Sequence, residues 1–347
     1  LHVEREDLES ALDEALRSYS YALMWDRIEG PLGPVIRLSE MNVFRPGHRK
    51  EVRPLQTRRS LEFTTGPGGG PPFVRDEMLI GFKPGVRRRD AMRLLDQLGA
   101  SIIESQPNLG VYRISLPAGS NVPSLVEQVL NSSLTARAEP NYGVSLSPPG
   151  GPAGVKAPES AEDRDAAGAV RVAVLDSGLD PEALETSSLY SYYDALEPGN
   201  TAADTVGHGT RMSLIASGLY NPSNISTAGD SDPAIVSVRA FDDAGKSSYF
   251  DLMRGISHAI ASGARVINLS WGAEGDSAFL QSAIREATDR GLLVVAAAGN
   301  EPTGRAVYPA AYPETVAVGA TTEEGAPWAR SNFGSWVTAA APGFIAF

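Results

Sequence analysis

The sequence predicts an α/β protein: a doubly wound parallel sheet in the C-terminal half, a small α+β unit before it, and an N-terminal helical extension. Three observations carry this. From residue 169 onward, apolar runs without polar alternation (170–175, 235–238, 266–269, 292–298 and 315–318) are interleaved with helical stretches at 249–262 and 277–290. Such runs are strands buried on both faces, and their alternation with helices is the signature of a parallel sheet. Residues 73–146 read β-α-β-β-α-β. Residues 4–28 carry Leu8, Leu12 and Leu16 at i, i+4, i+8, one apolar stripe of an amphipathic helix.

Composition limits what such a chain does. Its 347 residues suggest two or three domains, and 42% hydrophobic against 21% charged residues is ordinary for a protein with a buried core. No apolar run is long enough to span a membrane. With no Cys there is neither a disulfide framework nor a thiol nucleophile. The net charge of −12 argues against nucleic acid as a partner, since phosphate contacts need clustered Lys and Arg. That charge is uneven. Residues 1–145 hold 18 basic and 18 acidic residues, and residues 146–347 hold 12 and 24. The split suggests two parts with different tasks.

In chain order, the helix over 4–28 stops at Gly30-Pro31, and its stripe suggests docking on the rest of the chain or on a partner. Residues 31–64, with Pro34, Pro46, Pro54 and a basic run, read as an extended surface arm. The Gly- and Pro-rich segment 66–72 reads as a linker, so 1–72 is taken as extension plus linker. Within 73–146, strands are predicted at 78–82, 101–104, 111–116 and 136–144, with helices at 89–98 and 122–130: the ferredoxin-like order. Residues 147–168 form a second linker, and the large domain spans 169–347.

Sites in doubly wound sheets form beyond the carboxyl ends of the strands. Asp176, in Val174-Leu175-Asp176-Ser177-Gly178, follows a buried strand directly, so its carboxylate needs a partner. Alone it reads more simply as an Asp capping the next turn. An aspartyl phosphoryl acceptor would want a second acid two residues on, where Gly178 stands. His208, in Gly207-His208-Gly209-Thr210, is flanked by glycines that let the backbone pass close to other groups. Its plain alternative is a solvated loop histidine; zinc is disfavoured because no second His or Cys lies at ligand spacing. Asn300, in Ala298-Gly299-Asn300, follows small residues, and a positioned amide there can stabilise an oxyanion, although Gly-Asn is also an ordinary turn.

Taken in order, these elements are far more specific. Asp176, then Gly207-His208-Gly209-Thr210, then Ala297-Ala298-Gly299-Asn300, with Asn268-Leu269-Ser270-Trp271-Gly272 between and Ala341-Pro342-Gly343 after, resemble the subtilisin-like serine proteases, over about residues 169–347. Residues 73–146, with Ala138-Glu139-Pro140-Asn141-Tyr142, resemble that family's inhibitory prodomain. The resemblance implies a subtilisin-like fold and peptide-bond hydrolysis. Asp176 would orient His208, His208 would be the general base and acid, and Asn300 the oxyanion donor. A polypeptide substrate would lie between Gly245-Lys246-Ser247 and Leu269-Ser270-Trp271-Gly272, walled by Ala298 and Gly299. Trp271 fits core packing equally well. The prodomain would lead residues 143–150 into the cleft as a product-like inhibitor. No cofactor is required; structural calcium stays open, with no ligand set visible. The implied localisation is secreted or extracytoplasmic.

One element of the pattern does not occur. The family carries its nucleophile in a Gly-Thr-Ser motif after Ala-Pro-Gly, and no Gly-Thr-Ser exists in these 347 residues. The segment that holds it opens a central helix. Its loss would expose apolar side chains at about 1.5–3 kcal/mol each, against a total stability of about 5–15 kcal/mol. The expectation is therefore a zymogen portion, inactive alone, whose serine lies on a continuation or a separate C-terminal chain. The alternative is an inactive homologue that binds or inhibits peptides.

Overall fold

The structure, a computed structural model, describes residues 20–30, 33–44, 53–54, 61–146, 169–180, 183, 188–200, 204–220, 233–322 and 324–343. The chain divides into two compact units, Leu1–Arg59 and Ser60–Phe347. In the first, β1 (Ser20–Gly30), β2 (Gly33–Phe44) and β3 (Arg53–Pro54) form an antiparallel sheet in that order. This corrects the helix predicted over 4–28: its last third is strand, while Leu8, Leu12 and Leu16 lie outside the described residues. Gly30 pairs with Gly33 across the predicted helix stop, and part of the predicted arm is the partner strand. The physical reason is the β-favouring Tyr21, Trp25 and Ile28 within 20–30, together with the partner strand that 33–44 supplies.

The second unit opens with β4 (Phe63–Gly66), which pairs antiparallel with β5 (Gly69–Phe82). The predicted linker at 66–72 is therefore a hairpin turn and a strand start. Gly69 and Gly70 take the positive φ that the turn demands, +80° and +101°. Then come α1 (Arg88–Gln97), β6 (Ser101–Gln106), β7 (Val111–Ser115), α2 (Val122–Leu130) and β8 (Thr135–Ser145), in the ferredoxin-like order. Asn121 caps α2 by accepting from the Ser124 amide. Alternation sorts the sheet's two faces. Met78 and Ile80 join Leu95, Ile114 and Val126 under the helices. Leu79, Val111 and Val144 join the larger core with Tyr249, Phe250 and Phe279.

The large domain holds β9 (Arg171–Asp176), β10 (Leu189–Asp194), α3 (His208–Ala216), β11 (Ala234–Arg239), β12 (Lys246–Ser248), α4 (Tyr249–Ala261), β13 (Val266–Leu269), α5 (Ala278–Asp289), β14 (Leu293–Ala297), β15 (Val316–Thr321) and β16 (Ala339–Pro342). Seven strands form a parallel sheet in the order β10-β11-β9-β13-β14-β15-β16. Helix α4 lies so close to it that a Cβ on Gly255 would stand 3.1 Å from both Leu175 and Val238. Ser248 and Ser277 cap α4 and α5 by accepting from the amides of Asp251 and Leu280. Because β9, β13 and β14 run parallel, Asp176, Leu269 and Ala297 all end at one edge.

Candidate active site

Asp176 ends β9 fully buried. A buried carboxylate is costly unless hydrogen-bonded, and Oδ1 accepts from the Ser177 amide at 2.8 Å and from His208 Nδ1 at 2.7 Å. Oδ2 has no partner among the described residues. A carboxylate only accepts, so the proton of the His208 bond sits on Nδ1 and Nε2 is left as the ring's basic nitrogen. Burial pushes the His208 imidazolium down. The Asp176 carboxylate, by charge and hydrogen bond, and Asp204 push it up against that burial and against Arg211, and the net value lies above the ordinary one.

The residues around this pair explain its motif. Gly207 enters α3 at φ +78°. Asp204 takes the Gly207 amide on Oδ1 at 2.8 Å and the Thr210 amide on Oδ2 at 2.8 Å, capping the helix start. A Cβ on Gly209 would lie 2.4 Å from the Gly178 carbonyl oxygen, so only glycine fits where α3 presses on the turn after Asp176. The Ser177 hydroxyl accepts from the Gly209 amide at 2.8 Å, and the Thr210 hydroxyl accepts from the Asp180 amide at 2.9 Å. Asp-Ser-Gly and Gly-His-Gly-Thr thus clasp each other and hold carboxylate and imidazole in register. Sequence reasoning passed over Ser177, Asp204 and Thr210. The available signal was an acid placed a few residues before a helix start.

Asn300 lies at the same edge, exposed, on the turn after β14, two strands from Asp176 in the sheet order β9-β13-β14. Gly299, at φ +102°, makes the turn, and its carbonyl accepts from the amide of buried Asn332 at 2.9 Å. Ala298 is buried and donates its amide to Val318. Trp271 belongs to the core: it is 4% exposed, its indole donates to the Leu175 carbonyl, and its ring packs near Phe241. The pocket role entertained for its side chain gives way to holding the strand that delivers Asp176. Leu269 is also fully buried, Ser270 accepts from Asn268, and Gly272 leaves no room for a Cβ against Val307.

The opposite wall of the predicted cleft is occupied. Lys246–Ser248 pairs antiparallel with the end of β8, Lys246 opposite Ser145, Ser247 opposite Val144 and Ser248 opposite Gly143. The Leu146 amide extends the ladder to the Gly245 carbonyl at 2.8 Å. Residues 147–150 lie outside the described residues.

The sequence profile described as the subtilase family, Peptidase S8, matches residues 167–345, just over half of the chain. The chain belongs to the subtilase family. A second profile, the fervidolysin N-terminal prodomain, matches residues 63–141. This subtilase is 29% identical over 282 residues to the thermophilic serine proteinase of Bacillus sp. strain AK1, covering 78% of the chain and 70% of that protein. It is 35% identical over 175 residues to the minor extracellular protease Epr of Bacillus subtilis, covering 50% of the chain and 27% of Epr. The crystal structure of fervidolysin from Fervidobacterium pennivorans, a keratinolytic enzyme related to subtilisin, superposes with a TM-score of 0.59 at 22% identity. That match covers 78% of this chain and 47% of fervidolysin, and it establishes the fold. The chain thus spans under half of fervidolysin and about a quarter of Epr.

The prodomain sheet sits on the N-terminal turns of α4 and α5. Glu139 accepts from the Ser277 hydroxyl and, at 3.1 Å, from the Ala278 amide. Asn141 accepts from the Phe250 amide. Arg113 is buried, forks onto Glu77 at 2.8 and 2.9 Å, and stands 3.7 Å from Asp251 of α4. Arg254 bridges Asp251 to Glu104 of β6. Among the described residues no helix is long and apolar enough to cross a membrane, and no three His, Cys, Asp or Glu side chains gather as metal ligands, so calcium is assigned to none of them.

Proposed function

We infer that this chain is the prodomain-bearing portion of a serine endopeptidase. The observation that carries the reading is the 2.7 Å bond from His208 to a fully buried Asp176 at the carboxyl edge of the sheet. On this reading Asp176 holds the Nδ1 tautomer and stabilises the imidazolium, and Nε2 takes the proton of a serine hydroxyl and returns it to the leaving amine. That serine comes from outside these 347 residues, on a continuation or a second chain. Asn300 donates to the oxyanion, a contribution of about 3–4 kcal/mol when such a donor is lost. The reaction needs no cofactor. Substrate adds as an extended strand to Lys246–Ser248, the edge that residues 143–146 occupy, so the docked prodomain is autoinhibitory. An extracytoplasmic setting agrees with the extracellular relative.

The test is peptide cleavage by the protein expressed with the segment beyond residue 347, probed with a serine-directed phosphonate. His208→Ala is expected to lower kcat roughly 1,000-fold or more. Activity surviving that substitution overturns the reading. A folded protein that binds peptides at the Lys246 edge yet never reacts with the phosphonate supports the alternative, a non-catalytic peptide-binding module.

A further inference from the structure

We propose that Lys246 selects an acidic substrate residue at the position that takes the place of Ser145. The inference rests on the reading of Lys246–Ser248 as the strand that receives substrate, and it assigns a chemical preference to one position of that strand.

The register supplies the geometry. Backbone ladder bonds do not depend on sequence, so an extended peptide replacing the end of β8 inherits its pairing, with one residue directly opposite Lys246. Side chains alternate across this ladder. Val144 and Ser247 point inward and are buried, whereas Ser145 is exposed and shares the outer face with Lys246. Directly opposed residues in an antiparallel pair have Cβ atoms about 4.5–5.5 Å apart. A Glu or Asp in place of Ser145 therefore reaches the ammonium.

The present surroundings of that ammonium are neutral and belong to the prodomain side. Nζ donates to the Leu61 carbonyl at 3.3 Å and stands 5.3 Å from the centre of the Phe63 ring. Leu61 is buried, and the Phe63 ring covers Gly143, where a Cβ would lie 2.6 Å from it. Among the described residues no carboxylate pairs with Nζ. Asp242, the acid of the adjoining turn, is engaged by the backbone amides of Ala244 and Lys246. Asp243 is engaged by Thr205 and Arg239. When the prodomain leaves, its carbonyl and its ring leave with it, and a cation remains on the outer face of the receiving strand. Residues 146–347 carry the whole net charge of −12. That field repels acidic peptides in general, but it is screened beyond about 8 Å at physiological salt. The preference is thus confined to the one position that touches Lys246.

The test uses the protease expressed with the segment beyond residue 347 and peptides carrying Glu, Gln or Lys at each position before the cut. At one position Glu is expected to exceed Lys in kcat/KM by about threefold to tenfold at low salt, the scale of an exposed ion pair set against a like-charge pair. The ratio should shrink in 1 M salt and invert in Lys246→Glu. A second measurement needs no catalysis: in the intact chain, Ser145→Glu should raise and Ser145→Lys lower the melting temperature, with the order reversed on Lys246→Glu. Cleavage indifferent to charge at every position, or a ranking unchanged by Lys246→Glu, overturns the proposal. A wild type that cleaves no peptide overturns the proposed reaction instead, and the Ser145 series then decides the assignment of Lys246.

Discussion

Gly209→Ala tests the clasp between the two motifs most directly. The added Cβ would lie 2.4 Å from the Gly178 oxygen, 2.8 Å from the Gly178 nitrogen and 3.0 Å from the Ser177 nitrogen. All three are backbone atoms, so no rotamer change relieves the clash, and the start of α3 must back away from the turn after Asp176. Overpacking of this kind costs about 1–3 kcal/mol, which for a domain of this size lowers Tm by roughly 3–10 °C. Because His208 is the neighbour of Gly209, the retreat also lengthens its 2.7 Å bond to Asp176. Losing that partner removes the main upward influence on the imidazole and leaves the downward one, burial. The His208 titration, followed by NMR of the ring protons, should therefore move to lower pH. The stability effect carries a matching sign. A histidine raised above its ordinary value contributes stability that is fully present below that value and lost as pH rises through the folded one. The Tm difference between wild type and variant should thus be larger near pH 5.5 than near pH 8. An unchanged Tm together with an unchanged His208 titration would refute the clasp.

Other expectations concern the prodomain. Burial pushes the Glu139 carboxyl up to about 7, even though Ser277 and Ala278 donate to it. A raised value means docking is favoured below about 4.5 and weakens as pH climbs through about 7. The change should be about 1–2 kcal/mol, reduced from the full shift because the helix N-terminus favours the charged form. Melting at pH 5 and 8 should show this slope in wild type and its loss in Glu139→Gln. Gly143→Ala should destabilise the wild type, because its Cβ meets the Phe63 ring at 2.6 Å, and be tolerated in Phe63→Ala; additive melting changes would contradict that contact. Arg113→Met removes the fork onto buried Glu77 and should cost about 3–5 kcal/mol in urea unfolding, with much of the loss recovered when Glu77→Gln accompanies it.

Much of this molecule was legible in local pattern. The strand ends at Asp176, Leu269 and Ala297 follow from apolar runs too short for helices and flanked by Gly. The pair Asp176 and His208 follows from motifs whose spacing resembles a known family. Less legible were features whose cause lies far away in the chain. Residues 20–28 read as a continuation of the helical stripe that precedes them, but a strand is made by its partner, and 33–44 supplies it. The glycines of 66–72 read as a break because a hairpin turn and a linker share composition. Asp204, Ser177 and Thr210 are ordinary polar residues until the clasp brings them together.

Trp271 shows where the division falls. Its side chain suits a pocket or a core equally well, and only the position of the Leu175 carbonyl, 96 residues away, chooses the core. Periodicity and local composition act between neighbours in the chain, so the sequence alone determined the strand and helix alternation after residue 169, the ferredoxin-like order of 73–146, and the motifs that nominate Asp176 and His208. Burial and long-range hydrogen bonds depend on what the fold brings from elsewhere. Tertiary structure therefore decided the tautomer of His208, the packing of Trp271, and the seating of residues 143–146 along Lys246–Ser248.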